Sequence, residues 1–456
     1  MLREVTVKNG KLRGLPGTNA RISVFKGIPF AAPPTGKNRW RAPQPCENWE
    51  GVRECYKYAP ISIQDQPGVG TDIYCREWHV DADIPMDEDC LYLNVWTPAN
   101  STDEKLPVLV WYFGGAFQWG YTAEMEFDGE ALARKGIIVV TVNYRLAVMA
   151  NLAHPEITAE SPDAPCNFGL LDQQAGLHWV YENIEAFGGD PEKITIAGQS
   201  AGGASTMQQL TCPANRHIVK GAVVLSGMIE MDNPDGDIFN PIDLKEAEKR
   251  GVAFFDYIGV KTLEEARAID AKKIRDLYGE YSGGPSMALK MFPILDGNNY
   301  NGNPQELLIS GSCPDVPIIT GYTGDEFTFN GINVVEKTVK KSVARVLETN
   351  KEKGLNRKIW AYCFDPDIPG WDNPGTFHSV DLWFWFETLS KCWRPFKGRH
   401  YDLASQMSSY FVNFIKTGDP NGKDYDDTDL PLWKNADEGS ANIMKFTSEG
   451  SKPEEE

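Results

Sequence analysis

Five short apolar runs constrain the fold of this chain most strongly, because they are too hydrophobic to alternate between a buried and an exposed face. They span residues 107–113, 136–143, 193–197, 221–227 and 316–321. Strands that are covered on both faces of a parallel sheet have this pattern. Between two of them, residues 169–187 carry apolar side chains near helical spacing. Strands that alternate with helices predict an α/β fold with a doubly wound, mostly parallel sheet.

The two ends of the chain carry weaker signals. Residues 5–12 predict an antiparallel hairpin, because the dipeptide Asn9-Gly10 supplies the positive φ values that tight hairpin turns require. Near the other end, a predicted helix at about 400–416 stops at Gly418. The acidic segment that begins at Ser448 is expected to fray.

Two polar stretches with helical character lie between the predicted strands, at about 228–300 and 334–372. We expect both to be insertions that cover the strand ends, where α/β sheets carry their sites. No linker or internal repeat divides the chain. Residues 1–456 are therefore expected to form a single domain.

The acidic composition narrows the class of partner. The chain has 456 residues, with 64 Asp and Glu against 45 Lys and Arg, and a formal net charge of −19. Such a surface repels polyanions, so the sequence argues against nucleic-acid binding and favours neutral or cationic small molecules. No apolar stretch is long enough to span a bilayer, and residues 1–10 lack the apolar core of a secretion signal. We therefore expect a cytoplasmic protein.

Nine cysteines give a second indication of compartment. Their number is odd and they form no C-x-x-C pair, which argues against a zinc site and against a fully paired disulfide framework. A bridge between Cys75 and Cys90 is the alternative, but two free thiols are the favoured interpretation.

A candidate nucleophile follows the third apolar run. Gly198, Gln199, Ser200, Ala201 and Gly202 form a G-x-S-x-G motif between that predicted strand and a helix-forming segment. A serine on such a strand-to-helix turn has a strained backbone that flanking glycines permit, and its hydroxyl is presented at the end of the sheet. The bare motif also arises by chance in a chain rich in glycine, so an ordinary turn is the alternative.

A candidate oxyanion loop follows the first apolar run. The predicted strand at 108–112 is followed by Phe113, Gly114, Gly115, Ala116 and Phe117. Acyl transfer needs backbone N–H donors aimed at the oxyanion, and a glycine loop at a strand end supplies them. A glycine-rich turn without this role is the alternative.

Taken together, these motifs resemble those of the type-B carboxylesterases, which include para-nitrobenzyl esterases, liver carboxylesterases and cholinesterases and have the α/β-hydrolase fold. The resemblance runs through the whole chain. The matching segments are F-K-G-I-P-F-A-A-P-P from Phe25, E-D-C-L-Y-L-N-V-W from Glu88, V-L-V-W-Y-F-G-G-A-F from Val108, N-Y-R-L from Asn143, F-G-G-D-P from Phe187, G-Q-S-A-G from Gly198, G-D-E from Gly324, G-T-F-H-S-V-D-L from Gly375 and N-F-I-K-T-G-D-P-N from Asn413.

The resemblance implies a catalytic triad of Ser200, Glu326 and His378, in the chain order of the family. The residues alone leave Asp325 and Asp296 open as the acid. The same resemblance assigns the oxyanion donors. They are the N–H groups of Gly115, Ala116 and Ala201. This chemistry needs no metal ion or organic cofactor.

The family likeness also suggests pocket residues, for which core packing is the alternative. They are Phe117, Trp119, Trp383 and Trp385. One departure from the family is Phe113, which stands where His or Tyr is common and cannot make their polar contact. That substitution puts the support of the oxyanion loop in doubt.

The sequence therefore predicts a serine carboxylesterase that hydrolyses neutral small-molecule esters through an acyl-enzyme. An aromatic-ester hydrolase of the feruloyl type is a refinement of this prediction. The rival from another class is a catalytically silent, cholinesterase-like binding protein, and the complete triad argues against it.

Overall fold

The five apolar runs form neighbouring strands of one sheet in the computed structural model, which describes residues 1–230, 240–283, 289–437 and 440–454. In chain order the strands are β1 (Glu4–Val7), β2 (Gly10–Arg13), β3 (Leu15–Pro16), β4 (Ser23–Pro29), β5 (Val52–Glu54), β6 (Tyr92–Thr97), β7 (Leu106–Tyr112), β8 (Ile138–Val142), β9 (Gly189–Gln199), β10 (Val219–Leu225), β11 (Ile318–Thr323), β12 (Thr328–Phe329), β13 (Ile332–Asn333), β14 (Ile359–Phe364), β15 (Met444–Thr447) and β16 (Gly450–Pro453). The runs correspond to β7, β8, β9, β10 and β11.

The main sheet has eleven strands in the order β16-β15-β14-β11-β10-β9-β7-β8-β6-β4-β3. All pairs from β8 to β15 in this order are parallel, and the pairs at both edges are antiparallel. Every residue of β8 is buried, as expected for a strand covered on both faces. The predicted mostly parallel sheet is confirmed.

Helices cover both faces of this sheet. In chain order, the helices of the described residues are α1 (Ile73–Glu77), α2 (Glu130–Arg134), α3 (Ala147–Asn151), α4 (Pro155–Glu160), α5 (Phe168–Asn183), α6 (Ala201–Thr211), α7 (Leu244–Ile258), α8 (Leu263–Ala268), α9 (Ala271–Ser282), α10 (Pro304–Ile309), α11 (Val334–Lys353), α12 (Leu382–Trp385) and α13 (Gly398–Thr417). Val108 and Val110 of β7 belong to the core cluster that contains apolar residues of α5 and α11. Leu109 and Trp111 belong to the opposite cluster, with residues of α13. The alternation of side chains along one strand thus separates two cores.

The N-terminal hairpin is present, but its turn differs from the prediction. Strands β1 and β2 pair antiparallel with Val7 opposite Gly10, so Lys8 and Asn9 form the tip. Of the three residues from Lys8 to Gly10, only Gly10 has a positive φ, at 151°. A Cβ there would lie 2.5 Å from Nε1 of Trp49. Glycine is therefore required at the start of the second strand, because an indole packs against it.

The structure also differs from the prediction of an insertion at 334–372. Helix α11 follows β11 and leads to β14, which pairs in parallel with β11. This segment is thus a regular crossover within the sheet. Its polar composition reflects the exposed side of a long helix, and its buried residues face the core.

The described residues of 228–300 form helices α7 to α9; residues 231–239 and 284–288 lie outside the described part. Phe254 of α7 and Ile274 of α9 share a core cluster with Val148 of α3. None of these described residues lines the cavity that contains Ser200. A covering role for this insertion, and the single-domain assignment, remain predictions.

Residues 450–453 of the segment that was expected to fray from Ser448 add an edge strand to the sheet instead, and residues 455–456 lie outside the described part. Strand β15 pairs in parallel with β14, and β16 pairs antiparallel with β15. Helix α13 ends at Gly418, which has a left-handed φ of 76°, as predicted.

All nine cysteines lie within the described residues, and each is a free thiol. Cys75 and Cys90 therefore form no bridge in this structure. Among the helices of the described residues, none is long and apolar enough to cross a membrane.

Candidate active site

Ser200 occupies the turn between β9 and α6 with φ 57° and ψ −122°. Its N–H donates to the carbonyl of Leu225 at 2.9 Å. A Cβ on Gly198 would lie 2.2 Å from the carbonyl oxygen of Gly202, and a Cβ on Gly202 would lie 2.1 Å from that of Tyr112. Both glycines are thus required by backbone atoms that pass close to the turn. The G-x-S-x-G segment has the backbone expected of a nucleophile elbow.

Glu326 and His378 meet beside this turn. Glu326 lies just after β11 and is 1% exposed. Its Oε2 contacts Nδ1 of His378, and its Oε1 accepts hydrogen bonds from Oγ of Ser226 and N of Thr323, both at 2.8 Å. A buried carboxylate held by two donors can fix the orientation of the imidazole.

The two alternative acids bind elsewhere. Asp325 accepts hydrogen bonds from N of Thr376 at 2.8 Å and from its Oγ1 at 3.0 Å. Asp296 accepts one from Nδ2 of Asn167 at 2.9 Å. Of the three candidate carboxylates, the structure brings Glu326 to His378.

The second imidazole nitrogen faces an amide. Nε2 of Gln199 lies 3.2 Å from Nε2 of His378. With the ring proton assigned to Nδ1, towards Glu326, Nε2 of His378 accepts from this amide, which only donates. The ring of Phe327 covers the imidazole, with 4.5 Å between ring centroids. His378 is therefore in the tautomer that a general base needs.

A further buried carboxyl, Asp381, lies three residues after His378. Its Oδ2 accepts hydrogen bonds from the Tyr362 hydroxyl at 2.8 Å and from Nε1 of Trp385 at 3.1 Å. Burial raises the pKa of Asp381 to about 6, and the negative charge of Glu326 adds to this effect. A protonated Asp381 is compatible with a nearby ionised Glu326.

The loop after β7 has the geometry of a donor loop. Gly115, Ala116 and Phe117 have consecutive positive φ values of 103°, 54° and 55°. Gly115 and Ala116 line the same cavity as Ser200 and His378. In the described part of the chain, the N–H groups of Gly115, Ala116 and Ala201 have no hydrogen-bond partner. They are free to bind an oxyanion.

Other polar groups support the oxyanion loop in place of the polar contact that Phe113 cannot make. Its ring stacks on Tyr144 with 4.2 Å between centroids, and the Tyr144 hydroxyl donates to the Phe113 carbonyl at 2.6 Å. At the far end of the loop, Gln64 accepts from N of Gly120 at 2.8 Å and donates to its carbonyl at 3.0 Å. Both ends of the loop are thus fixed by buried hydrogen bonds.

These groups surround a cavity of about 230 Å³. Tyr74 and Trp78, at helix α1, form one wall, and Trp119, Phe127 and Leu382 also contribute to the lining. The predicted pocket residue Trp119 thus lies at the site. Carboxyl groups are also part of the wall. They belong to Glu124 and Glu126.

The other three predicted pocket residues lie in the core. Phe117 is 2% exposed and packs against Tyr144, because the left-handed backbone of the loop turns its side chain inward. Trp383 and Trp385 are fully buried. Trp383 lies behind Trp78, at 6.1 Å between centroids, so it contacts the wall from outside the cavity.

Sequence reasoning missed several side chains of this site. They are Tyr74, Trp78, His79, Glu124, Glu126 and the side chain of Gln199. The sequence carries one local signal for the wall that Tyr74 forms. Asp72 is a helix-capping residue, and it accepts hydrogen bonds from N of Tyr74 and N of Cys75 at the start of α1. A helix of five residues is too short to show a periodic pattern.

A serine on a strand-to-helix turn, a Glu–His pair that follows later strands and a mostly parallel sheet define this protein as an α/β-hydrolase. Comparison with known sequences gives the family. A model of the carboxylesterase family matches residues 2–359 and 336–456. The chain therefore belongs to the carboxylesterase family.

Individual relatives agree with this assignment. Fumonisin B1 esterase of Sphingopyxis macrogoltabida is 33% identical over 369 residues, which cover 80% of this chain and 64% of that protein. Para-nitrobenzyl esterase of Bacillus subtilis is 31% identical over 467 residues, which cover 91% of this chain and 90% of that protein. A solved PNB esterase superposes with a TM-score of 0.81 at 27% identity, covering 100% of this chain and 97% of that one. The chain thus spans under two thirds of the first relative's length and nearly all of the others.

Proposed function

We propose that this protein is a serine carboxylic ester hydrolase that cleaves neutral small-molecule esters through an acyl-enzyme. The observation that carries the proposal is the convergence of Ser200, the Glu326–His378 pair and the donor loop on one cavity. Free N–H groups at Gly115 and a serine on a strained turn are the parts that acyl transfer requires.

The reaction begins when Oγ of Ser200 attacks the ester carbonyl and Nε2 of His378 accepts its proton. Glu326 holds the ring and stabilises the imidazolium. The amide of Gln199 must leave Nε2 at this step, because the nitrogen then carries a proton. The oxyanion binds the N–H groups of Gly115, Ala116 and Ala201.

The tetrahedral adduct then collapses, and His378 returns its proton to the departing alcohol. A water molecule attacks the acyl-Ser200 ester with His378 again as the base. The acid is released and the serine hydroxyl is restored. In this mechanism Ser200, His378 and water supply all the protons and bonds that acylation and deacylation need.

Aromatic esters are a second candidate class of substrate, because aromatic rings contribute much of the cavity wall. Tyr74, Trp78, Trp119, Phe127 and Phe327 all border it. Flat rings pack well against such side chains. A panel of acetyl, butyryl, longer acyl and hydroxycinnamoyl esters distinguishes this refinement from a preference for aliphatic esters.

We also propose a cytoplasmic location. Nine unpaired cysteines support it, since reducing conditions maintain thiols. Fractionation of the native host, followed by detection of the protein in each compartment, tests this proposal.

The decisive experiment removes the nucleophile. Ser200→Ala should abolish hydrolysis of p-nitrophenyl butyrate and prevent labelling by a fluorophosphonate, while the thermal melt stays near that of the wild type. The matched control is Ser101→Ala, at an exposed serine, which should retain both activities. Activity retained in Ser200→Ala would refute the assignment.

A further inference from the structure

Two carboxyl groups of the cavity wall take no part in the proposed reaction. Glu124 and Glu126 follow the donor loop and border the cavity that contains Ser200 and His378. Glu124 is 5% exposed and Glu126 is fully buried. Charged side chains are rarely buried to this degree without partners.

Glu124 has a backbone donor and His79 as partners, whereas Glu126 has only the carboxyl of Glu124 beside it. Oε1 of Glu124 accepts a hydrogen bond from N of Tyr121 at 3.1 Å and lies 2.9 Å from Nε2 of His79. Among the described residues, neither carboxyl oxygen of Glu126 has a hydrogen-bond donor, and both are buried. The two carboxyls can hydrogen-bond to each other only when one of them carries a proton, and the shared bond raises the pKa of Glu126, which makes it the donor.

Bound protons, and not a neighbouring Lys or Arg, neutralise these two groups. Burial raises the pKa of both carboxyls, and the charge of Glu124 raises that of Glu126 further. Burial also lowers the pKa of His79, so this neighbour is a weak source of positive charge. Ionising two buried carboxyls side by side is costly, and a bound cation lowers that cost.

Glu77 is a buried carboxylate with a structural role, and it provides a comparison for Glu126. Glu77 lies on helix α1 and is as buried as Glu126, but it pairs with the guanidinium of Arg394 at 2.5 Å. No Lys or Arg within the described residues forms such an ion pair with Glu124 or Glu126. We therefore infer that a cation which pairs with Glu124 and Glu126 comes from a ligand.

The approach to the pair is also acidic. A second cavity of about 280 Å³ shares Tyr74, His79 and Trp119 with the catalytic cavity. It adds the carboxylates of Asp65 and Asp72. Lys290 lies near Trp119, with Nζ 5.6 Å from the ring centroid, but it lines neither cavity. Carboxylates outnumber it, and their field favours entry of a cation.

We propose that Glu124, Glu126 and His79 form a subsite of the catalytic pocket that binds a protonated primary amine on the acyl or alcohol part of an ester. This inference rests on the proposed function. The ammonium donates N–H hydrogen bonds to the carboxyl oxygens of Glu126 and Glu124 and replaces the proton that the pair otherwise shares. A quaternary ammonium has no N–H and lacks this interaction.

The test compares esters that differ in one terminal group. The acyl arm uses methyl 6-aminohexanoate, methyl 6-(trimethylammonio)hexanoate and methyl heptanoate, followed by pH-stat titration at pH 7.5. The alcohol arm uses 6-aminohexyl butyrate and heptyl butyrate. In at least one arm, the wild type should have a kcat/KM for the amine about tenfold above that for the matched neutral ester, and in the acyl arm the trimethylated ester should lose most of this gain.

Isosteric variants locate the effect. Glu126→Gln and Glu124→Gln should lower the amine-to-neutral ratio of kcat/KM about tenfold in the preferred arm. The exposed Glu264→Gln is the control for loss of one negative charge and should keep the ratio. A measurement on the wild type alone supports the same conclusion without variants: n-hexylamine should inhibit heptyl butyrate hydrolysis at concentrations about tenfold below those of 1-hexanol.

The outcomes separate the two proposals. A wild type that cleaves no ester in either arm refutes the proposed function. A wild type that cleaves neutral esters with a ratio at or below one in both arms refutes the subsite alone, and the carboxyl pair is then a proton-sharing structural element. An unchanged ratio in Glu126→Gln, or equal preference for the trimethylated ester, also overturns the subsite.

Discussion

The amide of Gln199 lies 3.2 Å from Nε2 of His378, the nitrogen that accepts the serine proton in the proposed mechanism. This contact orders the ring in the correct tautomer, but it competes with Ser200 for the same lone pair. The side chain of Gln199 therefore affects how readily Nε2 of His378 accepts the proton of Ser200.

Replacing the amide of Gln199 by a carboxylate should favour protonation of Nε2 of His378, whereas the amide opposes it. In Gln199→Glu, the new negative charge favours the imidazolium form of His378, so the acidic limb of the kcat/KM profile should move to higher pH. The profile is measured from pH 5 to 9 with p-nitrophenyl butyrate. Gln44→Glu adds the same charge at an exposed site and should leave the limb in place. An unmoved limb in Gln199→Glu would contradict the interpretation of this contact.

The elbow should tolerate no side chain at Gly202. Gly202→Ala places a Cβ 2.1 Å from the Tyr112 carbonyl oxygen, and backbone atoms cannot give way at low cost. We expect a loss of about 2–4 kcal/mol in the free energy of unfolding, together with loss of esterase activity.

Gly279→Ala is the matched control for this substitution. Gly279 lies within α9, and a Cβ there meets nothing within 4 Å. Alanine in a helix should stabilise the protein by about 0.5–1 kcal/mol. Urea unfolding of both variants provides the measurement, and a mild effect at Gly202 would show that the turn can relax.

The buried carboxyl of Asp381 makes stability depend on pH. Its folded pKa of about 6 exceeds the ordinary value of 3.8, so the folded state binds this proton more tightly than the unfolded state does. The resulting stability is complete below about pH 4 and is lost as the pH rises through about 6, at a cost of about 3 kcal/mol at neutral pH.

Asp381→Asn keeps an oxygen acceptor for Tyr362 and Trp385 but carries no charge. Its Tm should therefore exceed that of the wild type by an amount that grows from pH 5 to pH 7 and is then constant. Scanning fluorimetry across this range checks the prediction. Asp402→Asn, at an exposed position on α13, should show no such trend; a Tm difference in Asp381→Asn that is independent of pH would argue against a raised pKa.

The Glu77–Arg394 pair should stabilise the wall of the pocket. Both side chains are fully buried, and Glu77 lies on the helix that carries Tyr74. Arg394→Met removes the cation from the buried carboxylate of Glu77 and also from the carboxylate of Asp372, which Arg394 contacts at 2.9 Å, so we expect a loss of about 3–5 kcal/mol and a raised KM for esters. Glu77→Leu combined with Arg394→Met should cost less than the sum of the single variants.

The exposed pair of Lys8 and Glu182 provides the comparison for this prediction. Its charges are 2.9 Å apart, yet both side chains are largely in solvent. Glu182→Gln should therefore change stability by under about 1 kcal/mol. Equal effects at the buried and the exposed pair would mean that burial does not govern the strength of the contact.

The sequence predicted the centre of the sheet well, because the five apolar runs are buried on both faces and show it in their composition. It missed β14, although I-W-A-Y-C-F is equally apolar, because the polar helix α11 beside it suggested an insertion. Strands β15 and β16 escaped notice for another reason. Short edge strands owe their structure to the neighbour that they pair with, and no local signal reports it.

The reacting groups were predictable because their motifs are local, whereas the cavity wall was not. Trp383 and Trp385 follow His378 in sequence, yet helix α12 turns both into the core. The helix of Tyr74 is held by contacts with distant residues, such as the pair of Glu77 with Arg394, which no local sequence signal reports. Glu126 was overlooked because a carboxylate is assigned to the surface by default.

The order of the sheet has a consequence for synthesis. The nucleophile follows β9, the acid follows β11 and the base follows β14, while each of these strands is added beside an earlier one. A growing chain thus exposes Ser200 long before it contains His378. An incomplete polypeptide carries a serine that no base can activate, so a nascent chain should not acylate itself on the esters of the cell in which it is made.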